Sequence, residues 1–258
     1  MSEEAYSRMV ASILTWPIEK TKLIYQGTPT SSTSLSGVTA LHKLVATSPR
    51  NHIMGMASSS LQRGGSAFLM FHLQGHAYQW TCGISPKAGS PRIANTVDHT
   101  IAGALSGALS APFHTVWELI KVRGTWHASS QNRDSKSILR LLLPPDHAFQ
   151  MYRSCLLPMI CRHAIFDATF FGVNASLSQS SFSSAQRFAL GAASASFTNL
   201  LWDVWKTRKM EAYPKNIRFI EVARSFRLRT FFAHYLVKGT DLTANWFAVG
   251  YVKDRMYV

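Results

Sequence analysis

The sequence predicts an all-α membrane protein: six transmembrane helices in three pseudo-repeats, with a short amphipathic helix inside each pair. Three observations carry this expectation. A charge pattern recurs: Glu19 with Lys22, Glu118 with Lys121 and Asp203 with Lys206 each place a lysine three residues after an acid. The acids lie 99 and 85 positions apart (118 − 19 and 203 − 118), a period long enough for one structural unit used three times. Small-residue segments precede the second and third copies, at Ile101–Ala111 and Ala189–Ala195. Gly103 and Gly107, four residues apart, share a helix face and allow close helix approach in a membrane. Lastly, the order long helix, loop, short helix, long helix returns in each unit.

Taken in order, helix one is expected over Glu4–Tyr25 and helix two over Ala57–Trp80. Helix three follows over Val97–Arg123, helix four over Cys155–Leu177, helix five over Ala185–Arg208 and helix six over Tyr235–Tyr257. Short amphipathic helices are expected at Gly37–Thr47, Ser135–Leu143 and Asn216–Phe226. Linkers rich in Ser, Gly and Pro fall at Thr28–Ser36, Gly83–Pro91 and Ser178–Ser184. The whole of 1–258 reads as a single domain, with repeats at approximately 1–82, 92–179 and 180–258.

Composition alone does not settle the class. The 258 residues are 47% apolar with mean hydropathy +0.00, and no run of 18 residues is apolar throughout. Hydropathy by itself would place such a chain among soluble proteins; the small-residue helices argue the other way. Net charge is +14, which nucleic-acid binding would explain. The basic residues, however, form no single tail or stripe. They gather at helix ends and in connecting segments, such as Arg218, Arg224, Arg227 and Arg229, an arrangement suited to anionic lipid head groups. No nucleic-acid partner is expected. Cys82, Cys155 and Cys161 have neither metal-ligand spacing nor an even-numbered framework. His72 and His76 share a helix face but lack a third ligand, so no metal site is expected. A phosphate loop and a nucleophile elbow are both missing, and no enzyme activity or cofactor is expected. The start, Met1-Ser2-Glu3-Glu4, is acidic and resembles neither a secretory signal nor an Arg-rich presequence.

The three charge motifs resemble the signature of the mitochondrial carrier family: proline, any, acid, any, any, basic, any, basic, any, glutamine, at the matrix end of each odd-numbered helix. The first copy runs from Pro17 through Glu19 and Lys22 to Gln26, with Ile24 in place of the second basic residue. The second keeps Glu118, Lys121 and Arg123, and the third keeps Asp203, Lys206 and Arg208. Val116 and Leu201 stand where proline belongs, and Thr125 and Met210 where the bracing glutamine belongs. Pro112, about one turn before Val116, is the candidate kink in helix three; helix five has no proline. Leu156–Arg162 followed by Phe170-Phe171-Gly172 is similar to the family's fourth helix. The resemblance covers essentially the whole chain, and it implies entry into mitochondria on internal signals and residence as a multi-pass protein of the mitochondrial inner membrane.

The resemblance also implies roles. Glu19, Lys22, Glu118, Lys121, Asp203 and Lys206 would form the matrix salt-bridge network, each odd helix giving its acid to the lysine of the next, with Gln26 as brace and Pro17 and Pro112 as kinks. The second gate needs an aromatic–acid–any–any–basic pattern late in each even helix. Helix two offers Gly75–Gln79 there and helix four Asn174–Ser178, both without an acid or lysine; helix six retains Asp254. Loss of one gate would bias the protein toward the state open to the intermembrane space. Lys22 to Arg63 and Lys121 to Arg162 each span 41 positions, which puts Arg63 and Arg162 at cavity contact positions. In the third repeat, starting helix six at Phe231–His234 sets Asp241 opposite the two arginines. Starting it at Val237-Lys238-Gly239 leaves no charge there. The arginines either bind an anion or are inherited charges holding water, lipid or a neighbour. Cardiolipin is expected as a bound lipid, at Tyr152, Arg153 and Ser154 and at Lys238 and Gly239.

Two functions follow. The first is a degenerate carrier serving as a structural accessory subunit of a large inner-membrane complex, a respiratory complex or ATP synthase, with protein partners there. The second is an active transporter exchanging a small anionic metabolite.

Overall fold

The computed structural model describes residues 5–13, 15–16, 49–84, 91–129, 145–212, 215–225 and 228–256. The protein is all-α, with no strand among these residues. Helix α1 covers 5–13 and 15–16, α2 Pro49–Ile84, α3 Pro91–Ser129, α4 Pro145–Ser176, α5 Ser184–Thr198, α6 Leu200–Ala212, α7 Phe219–Ser225 and α8 Leu228–Met256. Three of the long helices open on a proline, Pro49, Pro91 and Pro145, whose missing N–H costs nothing in a first turn. α5 opens on a capping box: Gln186 N–H donates to Ser183 Oγ at 3.3 Å, and Ser183 N–H donates to Gln186 Oε1 at 3.0 Å.

The expected helix two to helix six each overlap a helix, with longer N-terminal extensions on α2, α3, α4 and α8. Helix five differs: it is divided at Asn199 into α5 and α6. The amphipathic segment at Asn216–Phe226 appears as α7. It docks on α6 where Phe219 stacks on Trp202 (centroids 4.4 Å apart) and Trp205 Nε1 donates to the Ile217 carbonyl at 2.9 Å. Gly37–Thr47, Ser135–Leu143, Thr28–Ser36 and the second half of helix one, from residue 17 on, lie outside the described residues.

Side-chain contacts arrange the helices as a circuit of antiparallel neighbours. Between α2 and α3 the partners are Gln62 with Glu118, Ser66 with His114, Gln74 with His99 and Tyr78 with Asn95. α5 and α6 lie against α4 through Thr198 with Thr169 and Asn199 with the Arg162 carbonyl. α8 returns along α5 and reaches α1, where Asn245 Nδ2 donates to Thr15 Oγ1 at 3.2 Å, and α2, where Asp241 meets Arg63. The α3–α4 crossing is the closest. A Cβ on Gly103 would lie 2.5 Å from the Asp167 carbonyl oxygen, and one on Gly107 would lie 2.4 Å from that of His163. Only glycine admits that approach, and it brings His163 and Asp167 inward against α3.

Beside its apolar clusters the interior holds many charged side chains, and several large apolar ones lie outside. Arg8, Arg63, Glu118, Asp167, Asp203, Lys206, Lys238 and Asp241 are buried. Leu61, Trp80, Leu109, Phe149, Leu157 and Leu236 are each more than half exposed. On α3 one face carries Val97, Ile101, Leu109, Phe113 and Val116 outward, while Asp98, Ser106, Ser110, His114 and Glu118 turn inward. Four buried hydroxyls are satisfied within their own helices: Ser12, Thr15, Thr115 and Ser196 donate to the carbonyl four residues back. Among the described residues one segment, Phe149–Ser176, is long and apolar enough to cross a membrane by length and composition.

Candidate functional site: an interior charge layer and its cavity

The charge layer is built one helix at a time. Helical spacing sets Arg63 and Gln62 of α2, Glu118 of α3, Arg162 of α4, Asp203 and Lys206 of α6, and Lys238 and Asp241 of α8 toward the bundle interior. Lys206 Nζ donates to Glu118 Oε2 at 2.8 Å, and Gln62 Nε2 donates to Glu118 Oε1 at 3.1 Å. Asp203 is the hub of the layer. Arg162 Nε donates to its Oδ1 at 2.7 Å, Lys206 Nζ lies 3.4 Å from the same oxygen, and Lys238 Nζ lies 3.5 Å from Oδ2. Three cations from α4, α6 and α8 therefore share one buried carboxylate. A second pair closes the circuit: Arg63 Nη2 bridges both oxygens of Asp241 at 2.9 Å. Such charges persist inside only when paired, since stranding one costs several kcal/mol, roughly 3–5.

Two polar groups extend the layer. Arg162 Nη1 lies 2.8 Å from His163 Nε2. A guanidinium only donates, so this imidazole nitrogen accepts and His163 carries its hydrogen on Nδ1. His163 stacks on His114 with centroids 4.2 Å apart, and His114 Nδ1 lies 3.0 Å from Ser66 Oγ. Asn199 sits where helix five is divided. Its Oδ1 accepts from Lys238 Nζ, and its Nδ2 lies 3.5 Å from the Arg162 carbonyl. The interruption thus places a side-chain amide between α4 and α8.

Above the layer lies a cavity of about 80 Å³, room for a few waters. Arg8, Arg63, Arg162, His163, Asp167 and Trp246 are among its walls. The Arg8 guanidinium lies 3.5 Å from the centroid of the Trp246 ring, a cation–π contact. The Asp167 carboxylate is buried and makes no protein hydrogen bond among the described residues; it opens onto the cavity, where water can solvate it.

Of the residues singled out from sequence, Glu118, Asp203 and Lys206 are brought together, and Arg63, Arg162 and Asp241 line the same interior. Asp241 meets Arg63 directly. Pro17, Glu19, Lys22, Gln26 and the Lys121 side chain lie outside the described residues. Pro112 sits within α3, which continues to Ser129; the Tyr152 hydroxyl lies 3.4 Å from the Pro112 carbonyl. Arg153 is exposed, and Ser154 Oγ donates to the carbonyl of Met151 at 2.9 Å. The placement of Lys238 and Gly239 at a lipid head group is corrected. Lys238 is fully buried and engaged by Asp203 and Asn199, and Gly239 is buried with its Cβ position 3.4 Å from the Tyr235 ring. An ammonium already inside the bundle has no free face for a phosphate outside it.

Asn199, Asp167 and His163 went unread in the sequence. Asn199 had no proline or charge to mark it. No metal-holding group of three His, Cys, Asp or Glu side chains gathers among the described residues. Comparison with protein-family models and with curated proteins finds no match.

Proposed function

We propose that this protein is a mitochondrial-carrier-like, multi-pass protein of the inner membrane that has become a structural accessory subunit of a large complex there, a respiratory complex or ATP synthase. The observation that carries this reading is the closure of the interior charges upon one another. Arg63 and Arg162, the residues placed to receive an anionic metabolite, are held by Asp241 and Asp203. A substrate anion would have to displace a buried carboxylate from each. The Glu118–Lys206 pair follows the odd-helix pairing of a carrier's matrix network. Arg162 and Lys238 add cations from the even helices to the same hub, so opening there would break several contacts together. A working gate needs states of comparable free energy, and a many-contact clamp removes that balance.

Two further features support membrane residence. The inward charges and outward large apolar side chains suit a bundle solvated by lipid, where ionisable groups face the interior. The Gly103 and Gly107 crossing suits helices packed without a solvent-driven hydrophobic effect. Cardiolipin would then bind on the outer surface near the exposed Arg153, at the N-terminal part of α4.

The test is mild-detergent extraction of mitochondria, native gel separation and detection of this chain. Migration wholly within a large respiratory or ATP-synthase assembly is expected. Migration as a free species of monomer size would sink the subunit reading. The transporter reading, favoured by the charges lining a cavity, would then be tested by reconstitution with anionic metabolites.

A further inference from the structure

A second layer crosses the bundle, and its spacing repeats three times. Phe71 follows Arg63 by eight positions, Phe170 follows Arg162 by eight, and Trp246 follows Lys238 by eight. Eight helical residues rise about 12 Å, so three aromatic rings from α2, α4 and α8 stand at one level beyond the three cations. Their rings meet: Phe170 and Trp246 have centroids 4.5 Å apart, and Phe71 and Trp246 are 6.1 Å apart. Phe188 of α5 lies among them, 6.4 Å from Phe71, 5.7 Å from Phe170 and 5.7 Å from Trp246. Phe171 adds an edge contact to Phe71 at 5.6 Å. Small residues on the helices between them, Ala11, Ala192 and Ala195, complete the cluster. Trp246, Phe170, Ala192 and Ala195 are fully buried.

From this layering we infer a further function: the aromatic layer is a fixed, ion-tight seal that stands in for the missing second charge gate. It rests on the membrane reading proposed above. The cavity touches the layer through Phe166, Leu242 and Trp246, and its opposite side is the charge layer. A polar, hydrated bundle in an energised membrane would otherwise offer a route for protons and small ions. Packed rings offer no hydrogen-bonding groups on their faces, and such a layer would exclude ions by desolvation. The Arg8–Trp246 contact adds a latch from α1, holding the largest ring flat against the cavity roof. With such a seal, loss of the charged gate would not leave that end open.

The seal is tested with the full-length chain in cardiolipin-containing liposomes loaded with a pH-sensitive dye. Flotation first establishes insertion; a pH step with a potassium diffusion potential then drives proton entry. Wild-type liposomes should relax at the rate of protein-free ones. Trp246→Ala and Phe71→Ala should relax several-fold faster, while Trp246→Phe stays tight. Phe71 is only partly buried, so its truncation keeps the test decisive if Trp246→Ala does not fold. Variants of native helicity that stay as tight as wild type would overturn the seal, as would a leaky wild type. Failure of the wild type to float overturns the membrane reading before any leak is read.

Discussion

The charge layer and the aromatic layer share helices α2, α4 and α8, about two turns apart, and they hold the bundle in different ways. In the charge layer each contact is directional and has a named partner: Asp203 serves Arg162, Lys206 and Lys238, and Asp241 serves Arg63. In the aromatic layer Phe188 touches three rings at similar distances, and no contact depends on one donor. Removing one member of the first strands the others. Removing one member of the second leaves a void. The comparison teaches that a helical bundle can be fixed at one level by pairing and at the next by packing.

The largest effect is expected at the hub. Asp203→Ala removes the carboxylate shared by Arg162, Lys206 and Lys238, of which Lys206 keeps Glu118, and should lower stability by roughly 3–5 kcal/mol or abolish folding, read by thermal unfolding in detergent. Trp246→Ala should come next, at about 3–5 kcal/mol for a large buried ring, but without the salt sensitivity of a charge variant. Equal salt dependence for both would break the comparison. Gly107→Leu forces the α3 and α4 backbones apart and should cost about 1–3 kcal/mol or more, with loss of compactness by gel filtration. A smaller effect separates pairing from packing. Glu118→Gln and Lys206→Met, singly and together, should show a coupling of about 0.5–3 kcal/mol in a double-mutant cycle. Arg153→Ala, on the exposed side of α4, should move stability by less than about 0.5 kcal/mol while reducing cardiolipin bound per protein.

Much of the helical layout was legible because it rests on local signals. The small-residue segments lie within α3 and α5 and the acid–lysine spacing within α3 and α6 as read, whereas the proline starts at Pro49, Pro91 and Pro145 and the Ser183–Gln186 cap were passed over, so three helices begin six to ten residues before their expected bounds. The inward face of α3 was legible too, since Gly103 and Gly107 share it. Pairings across the bundle were harder. That Lys238 turns inward rather than to lipid depends on α8's rotation against α5, which no local pattern encodes. Asn199 interrupts helix five through contacts to α4 and α8, neither near it in sequence. The aromatic layer did leave a trace, the eight-residue step from each cation to its ring, but phenylalanine is common in apolar helices and the step gains meaning only once the rings are seen to meet.

The most direct test of a bundle fixed at both levels is exchange across a membrane. Full-length protein in liposomes, loaded with labelled anionic metabolites and supplied with the same anions outside, should show no counter-exchange above protein-free liposomes. Saturable exchange by the wild type, lost in Arg63→Ala or Arg162→Ala, would mean that the clamp opens and the seal moves, and would contradict the account.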